Sequence, residues 1–104
     1  MTTDDLFKAL ADPTRRTIFE KLAEGGRTAS ALREGMAISQ PAMSQHLAVL
    51  RKAGLLREER KGRFVEYQVD PDGLAQIADW LARYRAYWPV RIEALKTLLT
   101  EMDQ

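Results

Sequence analysis

The sequence predicts a mainly α-helical domain with one small β-hairpin, and three observations carry that prediction. Apolar residues recur at helical spacing through most of the chain. The period changes once to strict alternation, at Val65, Tyr67 and Val69. Each stretch is bounded by a proline, a glycine or a short polar residue where a cap belongs. At 104 residues and 45% hydrophobic content, one domain over 1-104 is expected. Such a chain is apolar enough to fold and short enough to gain from completing its core with a second copy.

The first helix is expected after Thr2 or Thr3, with Asp4 and Asp5 at the positive end of its dipole and Leu6, Phe7 and Leu10 along one apolar edge. Asp12-Pro13 breaks it and opens a second helix to about Glu24. Ile18, Phe19, Leu22 and Ala23 of that helix should face inward, and Arg15, Arg16, Glu20 and Lys21 outward. Gly25-Gly26 ends it. Thr28 then caps a short third helix through Leu32, Arg33 and Glu34, stopped by Gly35. Ser39 opens a fourth, over 39-53, with Pro41 in its first turn, Met43, Leu47 and Leu50 as its inward stripe, and Gly54 at its end. Two short helices joined by a tight Gly-containing turn make a helix-turn-helix. Beyond Gly54, Arg57 to Arg60 and the alternating Val65, Tyr67 and Val69 read as a two-stranded hairpin turning near Lys61-Gly62, which is a wing. From Asp70-Pro71-Asp72 the helical period returns through Leu74, Ile77, Ala78, Leu81 and Tyr84 or Trp88. It continues through Ile92, Leu95, Leu98, Leu99 and Met102, with Pro89 kinking or splitting the run.

The fourth helix carries the chemistry. Its outward arc holds Pro41, Ala42, Ser44, Gln45, Ala48 and Lys52, and no carboxylate occurs from Ser39 to Lys52. A solvated face normally mixes acid with base; an arc without acid or bulk suits the major groove of DNA. Charge distribution agrees. The stretch 39-63 carries a net +4, from Arg51, Lys52, Arg57, Arg60, Lys61 and Arg63 against Glu58 and Glu59, and the rest of the chain carries −3. Ser44 and Gln45 are the base-reading candidates, with Ser39, Gln40, Pro41 and Ala42 at the helix start for close approach and phosphate contact. His46 sits at the edge of the inward stripe, where packing or a bond to backbone or phosphate suits it better than a metal. Arg51 and Lys52 complement the helix C-terminus and are also placed for phosphate. On the wing, Arg60, Lys61 and Arg63 are either a solvated edge or, as the neighbouring helix favours, phosphate or minor-groove contacts.

Other classes fall away. The chain has no cysteine and one histidine, which leaves no thiolate metal site, no credible nucleophile–base pair and no need of a cofactor. It has no Gly-rich phosphate loop, so it is not expected to be an enzyme. The acidic start and the lack of any long apolar run argue against a signal peptide and a membrane span, so a cytoplasmic location is expected. Trp80, Tyr84, Tyr87 and Trp88 form an aromatic stretch that fits core and dimer contact better than a ligand pocket. The rival reading is a protein-interaction module built on the same fold with no DNA target.

Four strings in this order are similar to the ArsR family of winged-helix repressors. They are Leu10-Ala11-Asp12-Pro13-Thr14-Arg15-Arg16, Ser39-Gln40-Pro41-Ala42-Met43-Ser44-Gln45-His46-Leu47, Leu50-Arg51-Lys52-Ala53-Gly54-Leu55-Leu56 and Arg60-Lys61-Gly62-Arg63-Phe64-Val65-Glu66-Tyr67. The resemblance covers about Leu6 to Leu99 and implies a homodimeric repressor that binds an inverted repeat, often at its own promoter. It also implies dimerisation through the first and last helices, here through Leu6, Phe7, Leu10, Leu74, Ile77, Leu81, Tyr84, Trp88, Ile92, Leu95 and Leu99. The chain departs from the metal-sensing members. Thr28-Ala29-Ser30-Ala31-Leu32 stands where their cysteines lie, and the last helix has Asp79 and Glu93 but no histidine. It resembles the members without metal ligands, which leaves room for a small-molecule inducer of unknown identity.

Overall fold

The computed structural model describes residues 2–87 and 97–100; five α-helices and a three-stranded sheet follow one another up to Ala82, and residues 97–100 are again helical. Helix α1 (Thr3–Ala11) opens with a capping box: the Thr2 hydroxyl accepts from Asp5 N at 3.1 Å and the Asp5 carboxylate accepts from Thr2 N at 3.2 Å. Helix α2 (Pro13–Glu24) starts on Asp12, whose Oδ1 accepts from Thr14 N at 2.8 Å and Arg15 N at 3.1 Å. Thr28 and Ser39 cap α3 (Ala29–Arg33) and α4 (Gln40–Lys52), as their side chains predict. Helix α5 (Pro71–Ala82) is capped by Asp70 and followed by a 3-10 turn at Arg85–Tyr87.

The core lies where α1, α2, α3 and α4 meet the start of the sheet. Leu6, Ile18, Leu32, Met43, Leu47, Leu50 and Leu55 are fully buried, and among the described residues no polar side chain is buried with them. The stripe Met43, Leu47, Leu50 thus binds α4 to the body, and shortening any of the three to alanine should cost about 2–5 kcal/mol.

Strands β2 (Leu56–Lys61) and β3 (Phe64–Val69) form the expected hairpin, with Lys61 opposite Phe64 across a two-residue turn. Gly62 takes a φ of 61° there, which a two-residue hairpin turn requires and a side chain resists. The sheet has one strand more than the sequence predicts. Strand β1 (Arg27–Thr28) pairs antiparallel with β3, Arg27 opposite Tyr67 and Thr28 opposite Glu66, giving the order β1-β3-β2. Two residues are too few to show an alternation.

Helix α5 is seated on the turn that ends α4. Asp70 N donates to the Leu55 carbonyl at 2.8 Å, and Gly73 lies so close that a Cβ there would run into the carbonyl of Gly54. Its other anchor is α1: Gln76 Nε2 lies 3.4 Å from Thr3 Oγ1, and Trp80 meets Phe7 edge-on with ring centroids 5.0 Å apart. The helix ends at Ala82, earlier than the apolar period implied, and Pro89, Glu93 and Met102 lie outside the described residues.

Two placements on α2 differ from expectation. Ala23 is exposed, although its neighbour Leu22 in the same last turn of α2 is buried in the core. Arg15, expected outward, is folded back against the body. Its Nε donates to the Ala9 carbonyl at 2.6 Å and its Nη2 to the Lys8 carbonyl at 3.1 Å. Arg16 Nη1 does the same to Leu10 at 2.8 Å and Ala11 at 3.1 Å. The last carbonyls of a helix have no intrahelical donor, and here two arginines of the next helix supply it. That is what the string Asp12-Pro13-Thr14-Arg15-Arg16 builds: a corner whose carboxylate caps one helix start while its guanidiniums cap the preceding helix end.

Candidate nucleic-acid interface

Helix α4 presents the arc its sequence implies. Ser39 Oγ accepts from Ala42 N at 3.2 Å, and no acidic residue stands in the first turn. Gln40, Pro41, Ser44, Gln45 and Lys52 are exposed, while Ala42 and Ala48 are half-buried and small. These side chains stand on one polar face opposite the buried Met43, Leu47 and Leu50. Gln45 and Lys52, seven residues apart, are nearly in line along the helix axis.

His46 lies against Arg15. It is half-buried on the flank of α4, its Nδ1 3.4 Å from Arg15 Nη1. Arg15 therefore touches three helices: the last carbonyls of α1, the cap Asp12 of α2 (Nη1 to Oδ2 3.9 Å), and His46 in the middle of α4. The Asp12 carboxyl is held below the ordinary carboxylate range, chiefly by the Arg15 backbone N–H, then by that of Thr14.

The basic residues divide into two groups. Arg51 Nε meets Glu58 Oε1 at 3.1 Å, and Lys61 Nζ meets Glu66 Oε1 at 3.2 Å. Glu66 is kept ionised by hydrogen bonds from Gln68 and then Lys61, which hold its carboxyl below the ordinary range. These cations are already partnered within the chain. Lys52, Arg60 and Arg63 are exposed and make no ion pair among the described residues. Arg63 lies in the wing turn and Arg60 just before it, next to Phe64, which is 64% exposed at the tip.

Helices α1 and α5, packed together, leave apolar side chains open. Phe7, Leu74, Leu81 and Tyr84 are exposed, Ile77 is half-buried, and Trp80 stacks between Phe7 and Tyr84, 4.9 Å from the latter. Leu6 needs correcting as an interface residue. Leu6 is 0% exposed in the core of a single chain, and Leu10 packs against that core half-buried, whereas the adjacent Phe7 is 38% exposed. Leu6 has no surface to offer a second copy. Leu99 is exposed in a helical stretch at 97–100, and Trp88, Ile92 and Leu95 lie outside the described residues.

Sequence reasoning missed Arg15 as a link between helices, because its wheel position is outward and only its length brings it back. It also missed the intrachain partners of Arg51 and Lys61, since nothing local to either residue signals them. Among the described residues, no three His, Asp or Glu side chains gather as a metal site would need.

Comparison with known proteins agrees with this architecture. Residues 10–59 match a helix-turn-helix domain family model. The transcriptional repressor SdpR of Bacillus subtilis is 36% identical over 78% of this chain and 90% of its own length. The HTH-type transcriptional regulator Rv2034 of Mycobacterium tuberculosis is 43% identical over 78% of this chain and 76% of its own. Among solved structures, an ArsR-like transcriptional regulator from Rhodococcus sp. RHA1 superposes with a TM-score of 0.72 at 32% identity, over 91% of this chain and 90% of that one. The helix-turn-helix, the wing and these likenesses over most of the chain lead to one conclusion: the protein belongs to the ArsR family of winged helix-turn-helix transcriptional regulators.

Proposed function

We propose that this chain is a homodimeric, cytoplasmic transcriptional repressor that binds an inverted-repeat operator, its own promoter being the first candidate. The observation that carries the reading is the open arc of α4, exposed, small and without a carboxylate, together with Arg60 and Arg63 of the wing, exposed and without an ion pair among the described residues. Ser44 and Gln45 read base edges in the major groove, and glutamine suits adenine. Gln40 and the α4 N-terminus, with Lys52, Arg60 and Arg63, hold phosphates. Arg51 and Lys61 join them by exchanging Glu58 and Glu66 for the duplex. His46 has no part in the contact and serves the joint with Arg15.

Dimerisation rests on the α1/α5 face, where Phe7, Leu74, Leu81 and Tyr84 are apolar and uncovered in one chain. A two-fold dimer calls for half-sites about one helical turn, roughly 34 Å, apart or a multiple of that. Repression follows from occupying promoter DNA. The sequence holds no cysteine, so release through a thiolate-bound metal is no part of this reading, and neither is catalysis.

The test is fluorescence anisotropy with DNA from upstream of the gene and with a scrambled duplex, across a salt series. Tight binding that prefers the upstream DNA and weakens steeply with salt is expected. No binding at moderate salt would overturn the reading and favour a protein-interaction module.

A further inference from the structure

Between α1 and the C-terminal half of α4 lies a hollow of about 360 Å³. Ala9, Val49 and Ala53 line it, and Lys8 of α1 and Lys52 of α4 both border it. Neither lysine makes an ion pair among the described residues. Arg15 also borders the hollow, with its donors committed to the Ala9 and Lys8 carbonyls. The single carboxylate is that of Asp5, held by Thr2 in the capping box of α1. Two unpaired ammoniums thus converge on one open space beside the polar arc. Lys52 belongs to both.

We propose that this hollow takes a backbone phosphate of the bound DNA, and that Lys8 is a DNA-positioning residue on a helix otherwise devoted to the core and the dimer. The proposal rests on the repressor reading and extends its footprint from α4 and the wing onto α1. Three observations carry it. Lys52 is in line with Gln45 and seven residues further along, about 10 Å at 1.5 Å per residue. Where the helix axis runs across the major groove, about 12 Å wide, a cation that far from a base-reading side chain meets the flanking sugar-phosphate strand. Lys8 shares the hollow with Lys52 and is therefore offered to the same strand. Unlike Arg51 and Lys61, it makes no close ion pair among the described residues, its attraction to the Asp5 carboxylate of the same hollow acting at longer range. A contact of this kind carries no sequence information and fixes register.

The experiment compares full-length wild type, Lys8→Gln and Lys8→Arg by anisotropy on the upstream duplex and a scrambled one across a salt series, with a thermal melt of each. Lys8→Gln should flatten the slope of log affinity against log salt by about 0.9 per protomer, hence about 1.8 for a dimer on two half-sites. It should weaken both duplexes alike, and Lys8→Arg should restore the wild-type slope. A Lys8→Gln slope superimposable on wild type overturns the inference and leaves the repressor reading standing. Weaker binding with an unchanged slope also overturns it, since the loss then comes through the fold. Wild-type protein without salt-sensitive DNA binding overturns both readings together.

Discussion

The apolar face of α1 and α5 and the polar arc of α4 are both open in a single chain, and they are open for opposite reasons. Phe7, Leu74, Leu81 and Tyr84 lose free energy in water, at about 25 cal/mol for every Å² of apolar surface left exposed. Ser44, Gln45 and Lys52 are as well served by water as by any partner. The first face calls for permanent cover by something equally apolar. The second calls for a partner whose charge is worth more than the hydration it displaces, and that condition changes with salt. Exposure alone does not distinguish the two; chemistry does. On the proposed reading the first face holds the two halves of the repressor together and the second lets go of the DNA.

The comparison breaks most severely at Leu81. Leu81→Asp puts a charge into the face that is to be covered, and an unpaired buried charge costs several kcal/mol. The expected result is a monomer by light scattering and a loss of operator affinity on the order of 100-fold or more, since one half-site is held without the other. An unchanged dimer mass would remove α5 from the interface. On the other face the effect is smaller and more specific. Gln45→Ala should cost about 1–3 kcal/mol in discrimination between operator and scrambled duplex. Affinity for the scrambled duplex should stay as it was, and an equal loss on both would mean that Gln45 positions and does not read.

The smallest effect is expected from the caps and the wing ion pair. The carboxyls of Asp5, Asp12 and Glu66 are lowered by the hydrogen bonds they accept, those of Thr2, of Arg15 and Thr14, and of Gln68 and Lys61. The unfolded chain, with ordinary carboxyls, takes up protons first as pH falls. Stability is therefore full above about pH 5 and declines as pH drops through the lowered values. All three groups are solvated, so thermal melts between pH 6 and pH 3 should show a modest shift. Asp12→Asn, which keeps an acceptor for Thr14 and Arg15, should reduce the pH dependence. A steeper dependence in that variant would place the acid-sensitive groups elsewhere.

Much of this molecule is legible in its sequence because the signals are local. Thr28 and Ser39 cap the helices their hydroxyls predict, and Met43, Leu47 and Leu50 repeat at the helical period and are buried together. Local signals stop at the point where two surfaces share one stripe. Leu6 and Phe7 are neighbours on α1, yet Leu6 enters the core and Phe7 faces out beside Trp80. Apolar periodicity reports that a face is to be covered, not by which chain. The candidate interface divides in the same way. The arc of α4 was readable because it is one element long, whereas the pairing of Arg51 with Glu58 and of Lys61 with Glu66 depends on packing between elements or across a hairpin. Strand β1 escaped because two residues have no period, and Arg15 because a long side chain can leave the face its Cα occupies.

Strand β1 has a consequence for how the protein meets its operator. By pairing with β3 it joins the base of the wing to the segment entering α3, so wing and helix-turn-helix are one hydrogen-bonded unit before any duplex arrives. Ordering a loose loop costs about 1–2 kcal/mol of backbone entropy per residue, and here that cost is met during folding, not on association. The distance from the wing tip to α4 is accordingly a fixed gauge. If groove and gauge disagree, the compliant partner is the DNA, whose willingness to bend or twist depends on its sequence. A rigid wing thereby makes the stiffness of base steps that no side chain touches part of what the protein selects.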